Sequence, residues 1–126
     1  MLINETHTNR QKNLPLFQQV KFSTFYSLVG RASKKMRGIS FNYDHERKTI
    51  ETIIIFDSIL SEEEQEEMEI ANTEVLADIH NEVAGFFLTL KVIPSSKSIL
   101  DQRGNWGWIY LRHEYDNWWC FKKYAS

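Results

Sequence analysis

Carboxylates crowd one stretch of this chain. Residues 61–82 hold nine of them (Glu62, Glu63, Glu64, Glu66, Glu67, Glu69, Glu74, Asp78 and Glu82) and no Lys or Arg. The chain as a whole carries a formal charge of only −2, so the flanking segments are net basic. Paired carboxylates can serve as general acid and base, but only where burial or a neighbour pulls their pKa values apart. A run of exposed glutamates lacks that tuning, so a carboxylate hydrolase is the weaker use of this pattern. Two other uses stay open. The run is a solvated helix face, or it is a surface made for a basic partner, which would steer association and reject acidic competitors. A protein that blocks a nuclease can use the second design, because a nuclease groove is basic in order to hold phosphate. Such a face has a cost. Like charges at i,i+4, such as Glu62 with Glu66, each destabilise a helix by roughly 0.2–0.5 kcal/mol.

Other chemistry finds less support. His7, His45, His80 and His113 are scattered, and a zinc site wants clustered His and Cys ligands. His80 fits the end of the acidic helix better than a metal. Cys120 is the single cysteine, so no internal disulfide forms, and among aromatics it reads as a packed thiol. There is no phosphate-cradling glycine loop and no G-x-S-x-G. The aromatics Trp106, Trp108, Tyr110, Tyr115, Trp118 and Trp119, with Lys122 and Lys123, could stack on bases. Core packing is the plainer use. Trp and Tyr also favour protein interfaces, which makes Trp106 and Tyr115 candidate contacts.

These residues need a scaffold. A length of 126 residues suits one domain, and 42% hydrophobic with 13% aromatic residues excludes a disordered chain. The slightly acidic balance argues against direct nucleic-acid binding. Neither a signal peptide nor a run long enough to span a bilayer is evident, so a soluble, cytoplasmic protein is expected. Residues 1–13 are polar and expected to fray. Pro15 can open a helix reaching about Met36, with apolar Phe17, Val20, Phe25, Leu28, Val29 and Ala32 at several spacings of three or four and Gly38 as its exit. Ile39–Tyr43 alternates as a strand with one buried face, and residues 44–47 turn. Thr49–Phe56 is β-branched and continuous, the pattern of a strand covered on both faces; the two strands make a hairpin.

Ser61 with Glu64 has the form of a capping box opening a helix over about 61–81. Met68, Ala71, Val75, Ile79 and Val83 form its apolar stripe. Residues 86–93 make a third strand, 95–105 a loop with a Gly104-Asn105 turn, and Trp106–Glu114 a fourth strand. In that strand Trp106, Trp108 and Tyr110 would share one face. The apolar tail Trp118–Phe121 would dock on the body. The expected fold is α+β, a mainly antiparallel four-stranded sheet with helices on one face, in the order α-β-β-α-β-β.

Arg37-Gly38-Ile39-Ser40-Phe41, then Ile50 to Asp57, then Ser61-Glu62-Glu63-Glu64-Gln65-Glu66 leading into Thr73-Glu74-Val75-Leu76-Ala77-Asp78, resembles small immunity proteins of bacterial polymorphic toxin systems, including those of contact-dependent growth inhibition. The strand Trp108-Ile109-Tyr110-Leu111-Arg112 fits the same pattern. The likeness spans about residues 37–114. It implies a cytoplasmic, non-enzymatic antitoxin that binds one cognate toxin C-terminal domain, often a nuclease, with no cofactor, metal or membrane involved.

The expected function is therefore neutralisation of a toxin by covering its active site or substrate groove. The acidic face would carry it: Glu63, Glu66, Glu67, Glu74 and Asp78, with Asp57 at its mouth, pairing with toxin Lys and Arg and standing in for phosphate. Trp106 or Tyr115 would anchor. The alternative is a small acidic regulatory or scaffolding domain that binds a non-toxin protein. Oligomeric state is open, although a Trp-rich strand could support a dimer.

Overall fold

A computed structural model describes residues 14–114; the expectations for residues 1–13, for Tyr115 and for the Trp118–Phe121 tail lie outside the described residues. Two helices and four strands follow one another as α1 (Leu16–Leu28), β1 (Met36–Asp44), β2 (Thr49–Phe56), α2 (Glu62–Ile79), β3 (Gly85–Val92) and β4 (Trp108–Leu111), with a 3-10 turn at Leu100–Gln102. The expected order differs from this one by the 3-10 turn between the last two strands. The sheet runs β3-β2-β1-β4.

The sheet is mixed, which corrects the mainly antiparallel expectation. β1 pairs antiparallel with β2 and with β4, but β2 pairs parallel with β3 along its whole length, Thr49 opposite Gly85 and Phe56 opposite Val92. The reason is α2. Its 18 residues reach about 27 Å, enough to carry the chain back across the sheet, so β3 starts at the end where β2 started. The hairpin turn is local: Asp44 Oδ1 accepts from the amides of Glu46 and Arg47, both at 3.1 Å.

One face of the sheet meets the helices. Ile39, Phe41, Ile50, Ile54 and Phe56 bury against Val20 and Leu28 of α1 and Met68, Ala71, Val75 and Ile79 of α2. The other face is covered too, as the continuous apolar run of β2 leads one to expect. Ile53 and Ile55 are covered there by Ile93, Ile99, Trp108 and Leu111, so the 93–108 segment folds over the sheet and β2 is buried on both sides. Gly104 permits this. A Cβ on it would lie 2.1 Å from the Phe41 carbonyl oxygen. Its amide donates to Ser40 Oγ at 2.8 Å.

Three local expectations are corrected. α1 ends at Leu28, not near Met36, because Gly30 takes φ +81° and Met36 and Arg37 already belong to β1. Gly38 is therefore no helix exit; it lies under the Trp108 ring, which a Cβ would meet at 2.7 Å. Trp106 and Trp108 do not share a face. Gly107, at φ +81°, turns the chain between them, sending Trp106 to the helix-side core and Trp108 to the opposite one.

α1 also inverts the usual polarity of a surface helix. Its buried residues are Gln19, Val20, Ser23, Thr24, Ser27 and Leu28, so mostly small or polar groups face inward. Phe25 and Val29 are exposed together with Phe22 and Tyr26. Small side chains let α1 approach α2 closely, and hydrogen bonds satisfy two of the polar ones: Gln19 Nε2 donates to the Leu14 carbonyl at 2.8 Å and Ser23 Oγ donates to Asp78.

Candidate recognition surface

The acidic helix begins as its sequence dictates. Ser61 Oγ accepts from the Glu64 amide at 3.1 Å, and Glu64 Oε1 accepts from the Ser61 amide at 2.9 Å. This closed capping box ties two otherwise unpaired amides, and Glu62, Glu63 and Glu64 stand at the positive pole of the helix. Met68, Ala71, Val75 and Ile79 then form the buried stripe, which fixes where every carboxylate points.

The carboxylates divide into two sets. One set is tied to the chain's own donors across the seam with α1. Arg31, just past the end of α1, bonds Glu67 at 2.9 Å through Nε and reaches Glu74 through Nη1. Lys35 Nζ bonds Glu64 at 2.8 Å. Asp78 accepts from Ser23 Oγ. Hydrogen bonds from Lys35 and from the Ser61 amide hold the Glu64 carboxyl below its ordinary value, and Glu74 and Glu67 raise the Arg31 guanidinium. The second set points outward. Glu62, Glu63, Glu66 and Glu69 are exposed, and their side chains make no ion pair or hydrogen bond among the described residues. Of the residues expected to meet a partner, Glu63 and Glu66 thus remain available, whereas Glu67, Glu74 and Asp78 hold the helix pair together.

Asp57 and Trp106 sit apart from that face. Asp57, at the end of β2, accepts from Arg112 Nη1 at 2.8 Å, and the hydrogen bonds of Arg112 and Ser58 hold its carboxyl below the ordinary carboxylate value. Trp106 is half-buried against the helix-side core, stacked on Tyr43 with ring centroids 4.6 Å apart and set edge-on to Phe17 at 5.2 Å. His80 caps the end of α2.

Asp57 leads into a network that the sequence did not announce as one. Arg37, fully buried on β1, forks onto Glu114 with Nε at 2.9 Å and Nη2 at 2.7 Å, while Nη1 donates to the carbonyls of Ile93 and Pro94, both at 3.0 Å. Arg112 holds the other side of Glu114 at 2.6 Å, together with Asp57, the Lys34 carbonyl and Ser95. Burial pushes the Glu114 carboxyl up, but the hydrogen bonds of the two arginines outweigh it and leave it below its ordinary value. Two guanidiniums and two carboxylates here join β1, β2, β4 and the strap after β3.

With these positions in place, the comparisons decide the family. Residues 18–114 match the family model of the MafI2 immunity protein. The chain belongs to the MafI2 immunity protein family. Comparison with curated proteins finds no match. As a MafI2 family member the chain is an immunity protein of a toxin system, and a cognate toxin is its implied partner. The MafI2 match opens in α1 and closes at Glu114, so it takes in α1, which the resemblance over 37–114 left out, and the whole Arg37–Glu114 network. The Arg-Gly-Ile run and the strand ending in Arg112, which carried that resemblance, are here a buried cation, a slot for Trp108 and a second cation of one ionic joint.

The MafI2 fold also shows an exposed apolar stripe whose role sequence reasoning did not assign. Phe22, Phe25 and Val29 lie on the outward side of α1 at spacings of three and four, 47%, 38% and 78% exposed. A hollow of about 520 Å³ opens beside Val29, lined by Tyr26, Ser27, Val29, Gly30, Arg31, Glu67 and Glu74. The signal was present as a second apolar stripe on α1, rotated from the one through Val20 and Leu28. Among the described residues no group of three His, Cys, Asp or Glu side chains could hold a metal ion, and no helix is long and apolar enough to cross a membrane.

Proposed function

We propose that this chain neutralises a toxin nuclease by laying the outward face of α2 over the toxin's phosphate-binding groove. It acts without catalysis of its own, in the cytoplasm of the cell that makes it. The observation that carries this reading is the division of the α2 carboxylates. Those facing α1 have donors within the chain, while Glu62, Glu63, Glu66 and Glu69 face solvent without one among the described residues. Four like charges on one side of a helix repel one another, and a row of toxin Lys and Arg relieves that repulsion in the complex. The groove of a nuclease supplies such a row because it must bind phosphate. The carboxylates take the place of the phosphates, and the helix closes the groove to substrate.

The test is a Glu63→Gln/Glu66→Gln variant bound to the isolated cognate toxin domain. Association at low ionic strength should slow by about tenfold, and its dependence on salt should flatten. The toxin domain alone should cut nucleic acid and stop when the wild-type chain is added. An unchanged association rate together with unchanged protection would move the contact surface away from α2; a toxin domain without nuclease activity would remove the nuclease assignment.

A further inference from the structure

We infer that the outward stripe of α1, Phe22, Phe25 and Val29, is the anchoring half of the toxin-binding surface, and that it seats an apolar projection of the toxin whose rim carries Lys or Arg. The inference rests on the toxin-neutralising reading above. Its starting point is the reversed polarity of α1. This helix turns Gln19, Ser23, Thr24 and Ser27 toward the core and leaves two phenylalanines and a valine outside. Thr24 even buries a hydroxyl that has no hydrogen-bond partner among the described residues. A helix chosen only for the stability of the isolated chain would be turned the other way, since large apolar side chains are stabilised by leaving water. Apolar surface gathered on one helix face and bordered by charge marks a site of association.

The border identifies the occupant. The hollow at the end of α1 runs from Val29 directly to Glu67 and Glu74; Glu63 lies one helical turn before Glu67 on α2, and Glu66 is the chain neighbour of Glu67. Ile70, 40% exposed, stands between Glu66 and Glu74 and carries the apolar surface onto the second helix. A second copy of this chain is a poor occupant. Two α1 stripes placed face to face would bring two α2 helices, each rich in carboxylates and free of Lys and Arg, to the same rim. A toxin surface with a basic rim has the opposite charge and fits. The two halves then divide the labour: the glutamates steer the encounter and set the rate of association, while the desolvated apolar centre sets the lifetime of the complex.

The kinetic split is the test. A Phe22→Gln/Val29→Gln variant, its fold checked by circular dichroism, is bound to the immobilised cognate toxin domain beside the wild type and the Glu63→Gln/Glu66→Gln variant. The apolar variant should dissociate about thirtyfold faster with association changed less than about twofold, the reverse of the acidic variant. A folded apolar variant with wild-type dissociation overturns this inference while leaving the toxin reading intact. A wild-type chain that does not bind the toxin domain overturns both. A wild-type dimer that the substitutions split, with toxin binding untouched, assigns the stripe to self-association and also overturns the inference. Should the variant lose its fold, photoreactive p-benzoylphenylalanine placed at Phe22 replaces it. Irradiation should then join position 22 to the toxin domain. Capture only from a control probe at Phe87, on the exposed side of β3, would overturn the proposal.

Discussion

Two regions of this molecule are built from the same side chains, arginines facing carboxylates, and they do different work. At the start of β1, Arg37 is wholly buried, Glu114 nearly so, and the Arg37 nitrogens bond Glu114 and the carbonyls of Ile93 and Pro94, all distant in the chain. Beside α2, Arg31 and the side chains of Glu67 and Glu74 are one-quarter to one-half exposed, and further glutamates stand beyond them with no partner among the described residues. Burial makes the difference. An ion pair out of water is expensive to break because the survivor cannot be solvated, so it locks strands into register. An ion pair in water is easily exchanged for another, so a helix edged with such pairs can trade them for those of a partner.

The largest effect should come from breaking the buried side. Arg37→Met removes a guanidinium from a site that also holds Glu114 and two carbonyl oxygens, those of Ile93 and Pro94. Chemical denaturation should show a loss of about 3–5 kcal/mol. A loss below about 1 kcal/mol would mean that the network is ornamental and would erase the contrast between the two regions.

Next comes the pH response, which sharpens the same contrast. Glu114 and Asp57 both titrate below their ordinary values of 4.5 and 3.8 in the folded protein. A group whose folded pKa is depressed adds stability above its unfolded value and loses it as pH falls through the folded one. Stability should therefore hold from neutral pH down to about 4.5 and decline below. Glu114→Gln should cost about 2 kcal/mol at neutral pH, because both arginines lose their shared charge. Its acid decline should be shallower, so that the two curves converge near the bottom of the titration. Parallel curves would show that Glu114 is not the group responsible.

The two regions were unequally legible in the sequence. The acidic helix could be read because its determinants are local: a Ser-Glu-Glu-Glu start, a three-and-four apolar spacing, and a count of charges within 22 residues. Its pairing was not legible, because Arg31 and Lys35 come from the loop after α1, more than 25 residues away. The network was hidden for the same reason at larger scale, with Arg37 and Glu114 separated by 77 positions. Arg37 was visible only as the first residue of a familiar run. The parallel β2–β3 pair escaped because strand direction follows from the path of the crossover helix and leaves little mark on the strand residues themselves. Which stripe of α1 faces inward was not legible, because its two apolar stripes have the same spacing and the choice between them is made by contact with α2.

The smallest effect tests the division within α2 itself. Glu66 and Glu67 are neighbours in the chain, yet Glu66 has no cation among the described residues and Glu67 holds Arg31 at 2.9 Å. Neutralising Glu66 removes its i,i+4 repulsion with Glu62 and takes nothing away in return. Glu66→Gln should therefore raise stability slightly, by about 0.3 kcal/mol. Glu67→Gln also lightens the charge of the helix, but it releases one arm of Arg31, which loosens the joint between the end of α1 and α2. Thermal melts at low ionic strength should thus move in opposite directions, up for Glu66→Gln and down for Glu67→Gln. Added salt should shrink both shifts, since each is an exposed electrostatic effect. Equal shifts of one sign would mean that the helix responds only to its total charge. The separation into structural and available carboxylates, on which the recognition surface depends, would then have no energetic basis.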